Sequence, residues 1–161
     1  MTSTEPKRFR PSAKAVVVVD GRLLVTRNRT PGDARPDWHI VPGGGQRPGE
    51  TLHEALVREV AEETGFEVVP GRLLWVRELI AARRTEFPFD PEDHAIEVMF
   101  AATPTGVVSE PSEVDSYQQE VVWVTGPELE RIRFYPASLV PAIRRYMTGG
   151  DPGPVYLGDV D

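Results

Sequence analysis

The chain contains no cysteine. Disulfides, thiolate catalysis and Cys-based zinc sites are therefore excluded. It also lacks any long apolar run. The longest, Ala15 to Val19, falls far short of the roughly 20 residues a membrane-spanning helix needs. The segment Met1 to Lys14 is polar and has no signal-peptide core. Together these absences lead us to expect a soluble protein of the cytoplasm with no membrane association. Basic residues are in deficit as well, 18 Lys and Arg against 25 Asp and Glu, for a net charge of −7. That balance argues against general nucleic-acid binding, which calls for a basic surface. It leaves phosphate ligands open, because local cations or metal ions can invert the sign at a site.

What is present fits one domain. The 161 residues suffice to bury a core without staples. No internal repeat or interior linker is visible. Residues 1–11 are expected to be a flexible N-terminal segment, 12–147 the domain, and 148–161 a peripheral tail rich in Gly and Pro. The β-branched run Ala13 to Val19 and the run Leu23 to Thr26 flank Asp20-Gly21, a hairpin signal. Asn28 to Asp37 reads as a loop and Trp38 to Val41 as a short strand entering Pro42-Gly43-Gly44-Gly45. Thr51 to Thr64 reads as a helix, opened by the capping box Thr51–Glu54 and closed by Gly65. Further strands are expected over 66–69, 73–80, 95–102 and 120–124, and helices over 127–132 and 137–147. Arg83, Arg84, Phe87 and Phe89 fall in the loop 82–93, which has the composition of either a nucleotide-selecting lid or an ordinary surface loop. The element order points to an α/β fold with helices packed on a mixed sheet.

Chemistry concentrates in Gly44 to Phe66. Leu52, Ala55 and Leu56 mark an apolar stripe on the helix, and extended forward it runs into Glu59, Glu62 and Glu63. These carboxylates, at i, i+3 and i+4, share one patch. They repel each other in the half of the helix where the macrodipole also disfavours negative charge. A hard divalent cation is the natural compensation, since Mg²⁺ takes oxygen ligands; a solvated acidic face is the alternative. The preceding glycines allow close approach of main-chain groups to a phosphate or metal.

Gly44, then Glu50 after five residues, then Arg58-Glu59-Val60-Ala61-Glu62-Glu63-Thr64-Gly65-Phe66 after seven more, resembles the complete Nudix box. A chance match to seven fixed and two apolar positions is on the order of one in ten million per chain. The resemblance implies an α/β/α sandwich with a central mixed β-sheet. It implies a pyrophosphohydrolase using Mg²⁺, with Mn²⁺ as a substitute, on a small nucleotide or other diphosphate substrate. By position it implies Glu59, Glu62 and Glu63 as metal ligands, with the Gly43 carbonyl a further candidate, and Arg58 as the residue that orients them. Glu50 takes a structural position. The general base stays open between Glu59, Glu63 and, outside the helix, Glu120. Arg27 and Arg29 are candidates for phosphate contacts, Gly44 for a main-chain contact, and Trp38 for stacking on a base, the alternative being packing beside the loop. Nucleotide sugars such as ADP-ribose lead the substrate candidates, ahead of (oxidised) nucleoside triphosphates. A non-catalytic nucleotide-sensing module is the rival, and related enzymes leave a homodimer open.

Overall fold

A run of small and branched residues with period-two alternation can serve two packing layers at once, and the first strand does so. The computed structural model describes residues 9–85, 90–107, 110–112 and 114–161. Residues 1–8 of the expected flexible segment, and Phe87 and Phe89 of the loop 82–93, lie outside these. Strand β1 (Phe9–Val16) sends Ala13 and Ala15 to one core and Val16 to another. Residues 9–11, assigned to the flexible segment from sequence, belong to this strand and pair with His94–Ile96.

The chain then changes sheets. Strands β2 (Val18–Val19) and β3 (Arg22–Asn28) pair across Asp20 and Gly21, whose φ values of 49° and 70° are those of a tight primed turn. In the second sheet β3 pairs along one edge with β8 (Gln118–Thr125), and along the other with β2 and then β4 (Trp38–Ile40). β9 (Arg133–Phe134) joins β4 in parallel. In the first sheet β1 lies between β5 (Gly43–Gly45, antiparallel) and β7 (His94–Val107, parallel). β6 (Phe66–Ile80) pairs antiparallel with β7, and β10 (Tyr156–Asp159) adds in parallel at the edge. The two strands expected over 66–80 are one, with register shifts around Pro70, where an irregularity accommodates the missing N–H.

Helix α1 (Leu52–Thr64) starts at the expected capping box and ends at Gly65, φ 75°. Its Ala55, Leu56 and Val60 pack with Ala13, Ala15, Val17, Leu24 and Phe100. Full burial contributes about 1.5–3 kcal/mol for a side chain such as Leu56. On the other side, Leu129 of α2 (Gly126–Leu129) and Ile143 of α3 (Val140–Met147) pack with Val16, Leu23, Trp75 and Met99. The result is a mixed α/β fold with helices on both sides of its sheets. Both later helices are shorter than the sequence suggested, and residues 137–139 form a 3₁₀ turn. Residues 148–161, expected as a peripheral tail, contain β10. There Val76 N donates to the Val155 carbonyl at 2.7 Å and Trp75 Nε1 to that of Pro152 at 3.1 Å. Among the described residues no helix is long and apolar enough to cross a membrane.

Candidate active site

The end of β1, the glycine strand β5 and the second half of α1 meet at one place. The apolar stripe of α1 continues through the buried Val60. Glu59 and Glu62 lie on the neighbouring flank, about four-fifths buried, while Glu63 is almost fully buried. Their proximity to β5 follows from the short connection between Gly45 and Thr51, stiffened by Pro48.

Arg58 organises the flank. Its Nε and Nη2 donate to the two carboxylate oxygens of Glu50 at 3.0 and 2.6 Å, and Nη2 also donates to the Gly45 carbonyl at 3.1 Å. Nη1 donates to Glu59 at 2.7 Å and to Glu62 at 3.1 Å. One planar fork thus ties the loop to two helix carboxylates, a geometry that a lysine cannot reproduce. Hydrogen bonds from Arg58 and from the Arg47 N–H hold the Glu50 carboxyl down at about 2.

Glu63 turns the other way. Its Oε2 accepts the Gly43 N–H at 2.9 Å. Burial pushes its carboxyl up to about 7, opposed by Lys14 and by that N–H and reinforced by Glu59 and Asp115. The Gly43 carbonyl accepts a hydrogen bond from Lys14 Nζ at 2.5 Å. Lys14 also acts on Glu97. Burial would raise that carboxyl, but Arg77, bonded at 2.6 Å, and Lys14 hold it below its usual range. Positive and negative groups therefore alternate from Arg77 through Glu97 and Lys14 to Glu63, beneath the glycine strand.

The glycines leave room for these groups. Gly43 has φ 129°, and a Cβ there would lie 2.2 Å from the Ala13 carbonyl oxygen. A Cβ on Gly44 would lie 2.5 Å from Glu59 Oε2. Close approach of a carboxylate to bare main chain is what the glycine run permits.

The remaining candidates form a second group. Arg27 Nη1 donates to Asp37 at 2.7 Å, and its Nε and Nη2 donate to Glu120 at 3.0 and 2.7 Å. Arg29 Nε donates to Asp37 at 2.8 Å. Glu120 is half exposed, and among the described residues it shares no bond with Glu59, Glu62 or Glu63. The contact between the two groups runs through β8, where Gln118 Nε2 donates to the Glu63 main-chain oxygen at 2.8 Å. Trp38 does not present a face for stacking on a base. It is buried, donates through Nε1 to Thr30 Oγ1 at 3.1 Å, and meets Tyr135 edge to face. Its place in the sequence, just before the glycine run, fits packing equally well, and packing is what the fold uses.

Lys14 and Asp37 escaped the sequence reading. A lysine inside the β-branched run Ala13 to Val19 was the available signal for the first. Asp37, in an irregular loop, carried none.

Glu59, Glu62, Glu63 and the Gly43 carbonyl offer oxygen donors only, the set a hard divalent cation takes. The charge of a buried Glu63 is the kind that such a cation offsets. As the side chains stand, Arg58 and the Gly43 N–H engage them, and among the described residues no three acidic or histidine side chains close on a common point.

Comparison with known proteins agrees with this fold. A family model described as NUDIX domain matches residues 8–145. The 8-oxo-dGDP phosphatase NUDT18 of Homo sapiens is 36% identical over 94 residues, which are 50% of this chain and 28% of that protein. The isopentenyl-diphosphate Delta-isomerase of Cutibacterium acnes is 32% identical over 148 residues, 87% of this chain and 72% of that one. A NUDIX hydrolase structure from Nitrosomonas europaea superposes with a TM-score of 0.70 at 18% identity, covering 89% of this chain and 92% of its own. The chain spans less than half the length of several of the curated relatives it matches.

Proposed function

The chain belongs to the NUDIX domain family, and on that premise we propose that it is a pyrophosphohydrolase that cleaves the diphosphate bond of a nucleoside diphosphate linked to a second moiety. The products are a nucleoside monophosphate and a phosphorylated partner. The observation that carries this reading is the fork of Arg58, which binds Glu50, Glu59, Glu62 and the Gly45 carbonyl at once. A solvated acidic face would have no use for such an anchor.

In this reading Glu59, Glu62, Glu63 and the Gly43 carbonyl hold Mg²⁺, or Mn²⁺ in its place. When bound, the metal supplies charge neutralisation on the leaving phosphate, polarisation of phosphorus and a more acidic water. The chain's own residues do the rest. Arg58 fixes the directions of the helix carboxylates, as outer-shell partners do. Gly44, without a side chain, lets the substrate's phosphate approach the main chain. Glu59, beside Gly44, and Glu63 are the helix carboxylates placed to accept a proton from water. Arg27 and Arg29, pre-oriented by Asp37 and Glu120, are placed to take a phosphate oxygen, and Glu120 acts through Arg27.

What the names of the two curated relatives share is a diphosphate-bearing substrate, one a nucleotide and one an isoprenoid. Nucleotide sugars such as ADP-ribose lead our order of substrates, followed by oxidised nucleoside triphosphates. The absence of cysteine suits action in a reducing cytoplasm. The test is turnover of a panel of ADP-ribose, UDP-glucose, 8-oxo-dGDP, 8-oxo-dGTP and isopentenyl diphosphate with Mg²⁺, beside Glu62→Gln and Glu63→Gln. Metal-dependent cleavage of ADP-ribose or UDP-glucose to a monophosphate and a phosphorylated sugar, collapsing in both variants, supports the proposal; turnover confined to the 8-oxo nucleotides overturns its order of substrates. Isomerisation of isopentenyl diphosphate without hydrolysis, or tight nucleotide binding with no cleavage, overturns it.

A further inference from the structure

Away from the carboxylates of α1, two cavities of about 880 and 630 Å³ adjoin at Arg35, Pro36, Ile132 and Arg133, which line both, and are taken together as one trough. Arg29, Arg35, Arg83, Arg84, Arg131 and Arg133 line it, six of the chain's 18 basic residues. Four carboxylates, Asp33, Asp37, Glu130 and Asp161, share the wall. In a chain of net charge −7, a local excess of cations concentrates positive potential in a concave site.

Internal pairing leaves Arg83 and Arg84 on a single carboxylate, with Asp161 in the same wall. Asp33 is divided between Arg35 at 2.9 Å and Arg133 at 3.4 Å, and Glu130 is taken by Arg144. Arg83 and Arg84 share one partner, Asp159, and among the described residues Arg84 Nε is buried with no hydrogen-bond partner. Asp159 belongs to β10, beyond the family-matched residues 8–145. That strand is fixed by Arg77 Nη1, which donates to the Val160 carbonyl at 2.8 Å, and by its pairing with β6. The last strand therefore delivers the carboxylate that aims the arginine pair.

One end of the trough is linked to the proposed chemistry through bonded residues. Asp37 in its wall bonds Arg27, Arg27 bonds Glu120, and two residues earlier Gln118 bonds the main chain of Glu63. It ends at Arg83 and Arg84. Among the described residues its wall offers a nucleobase no open aromatic face. Phe134 and His39 are buried, and Tyr135 has the Arg133 guanidinium over its ring at 5.4 Å and packs against Trp38. Paired guanidinium groups instead suit a phosphoryl group, which accepts their parallel N–H donors.

We propose that the trough holds a phosphoryl group of the substrate remote from the scissile diphosphate, with Arg83 and Arg84 as its ligands and Asp159 as their positioning residue. The word remote rests on the diphosphate-hydrolase reading above; the anion site itself does not.

Two matched pairs test it: NADPH with NADH, and coenzyme A with 3′-dephospho-coenzyme A. Each pair differs by one phosphate away from the diphosphate. Binding is measured by calorimetry in EDTA, where no metal-dependent turnover occurs, and hydrolysis is measured separately with Mg²⁺. The wild type is expected to bind the extra-phosphate member of at least one pair tenfold or more tightly. Arg83→Gln with Arg84→Gln should bring that ratio towards one. Asp159→Asn should lower it with both arginines present, and Asp159→Glu should restore part of it. A general loss of stability would weaken both members alike and leave the ratio unmoved. Equal binding within both pairs, no binding of any member, or a ratio indifferent to the arginine variants overturns the proposal. Selective binding in EDTA without hydrolysis in Mg²⁺ overturns the hydrolase reading on these substrates and leaves the trough standing. Hydrolysis of both members with equal KM overturns the trough and leaves the hydrolase.

Discussion

Lys14 Nζ donates to the carbonyl oxygen of Gly43 at 2.5 Å, so the oxygen that resemblance nominates as a metal ligand is already bound by a cation of the chain. The same ammonium offsets the buried charges of Glu63 and Glu97. Removing one partner of a buried charge network is costly, about 3 kcal/mol. Lys14→Met is therefore expected to unfold at lower temperature than the wild type in EDTA. Added Mg²⁺ should raise its melting temperature by more than it raises that of the wild type, because the divalent ion then meets no internal competitor. Thermal unfolding with and without Mg²⁺ checks this, and an equal metal-induced shift in both proteins would show that Lys14 and the metal do not compete.

Arg58 is bonded on every side, by Glu50, Glu59, Glu62 and the Gly45 carbonyl. Arg58→Lys keeps the charge and loses the fork. Outer-shell partners of metal sites are worth about 10–100-fold in affinity or activity. The expected outcome is a kcat/KM lower by that order, with a higher Mg²⁺ requirement and a melting temperature lowered by the loss of the Glu50 bonds. Steady-state kinetics across a Mg²⁺ titration reads it, and a variant with wild-type kcat/KM would remove Arg58 from the proposed machinery.

The Glu50 carboxyl, held at about 2 by Arg58 and by the Arg47 N–H, makes a contribution with a definite sign. A depressed carboxyl stabilises the fold above its unfolded value, near 4.5, and that contribution is lost as pH falls through the folded one. The window is therefore roughly pH 4.5 down to 2. Glu50→Gln should show a smaller drop in urea midpoint between pH 5 and pH 3 than the wild type. Equal drops in the two proteins would mean that other carboxylates govern acid unfolding.

These residues also show which parts of the molecule were legible beforehand. The ends of α1 were, because caps are local: Thr51, Glu54 and Gly65 carry the signal within a turn of where it acts. So was the β2–β3 turn at Asp20-Gly21. The pairing of Arg58 with Glu62 follows from i,i+4 spacing, whereas its bond to Glu59, the next residue, does not. Strand β10 was not legible, because its partners Val76 to Glu78 lie about 80 residues away and its neighbours are the glycines and prolines of a tail. The orientation of Trp38 was not legible either, since an indole beside a glycine loop satisfies packing and stacking patterns equally. The charge chain from Arg77 to Glu63 joins four elements, and no single stretch of sequence contains it.

The two glycines that open the site make opposite predictions under the same substitution. At Gly43 a methyl group would meet the Ala13 carbonyl oxygen at 2.2 Å, on a backbone with φ 129°. Neither the strand nor the dihedral can yield cheaply, so Gly43→Ala should lower stability by about 3 kcal/mol. At Gly44 the methyl group would meet Glu59 Oε2 at 2.5 Å, the far end of a flexible side chain, and no left-handed φ is involved. The fold can tolerate that by swinging the carboxylate aside. Gly44→Ala is therefore expected to melt within a few degrees of the wild type yet lose at least tenfold in kcat/KM, with Mg²⁺ affinity reduced in parallel. Melting curves and Mg²⁺ titrations of the two variants side by side decide it. A Gly44→Ala protein that stays fully active would place Glu59 outside the reaction, and a stable Gly43→Ala protein would mean that β1 and β5 approach less closely than 2.2 Å implies.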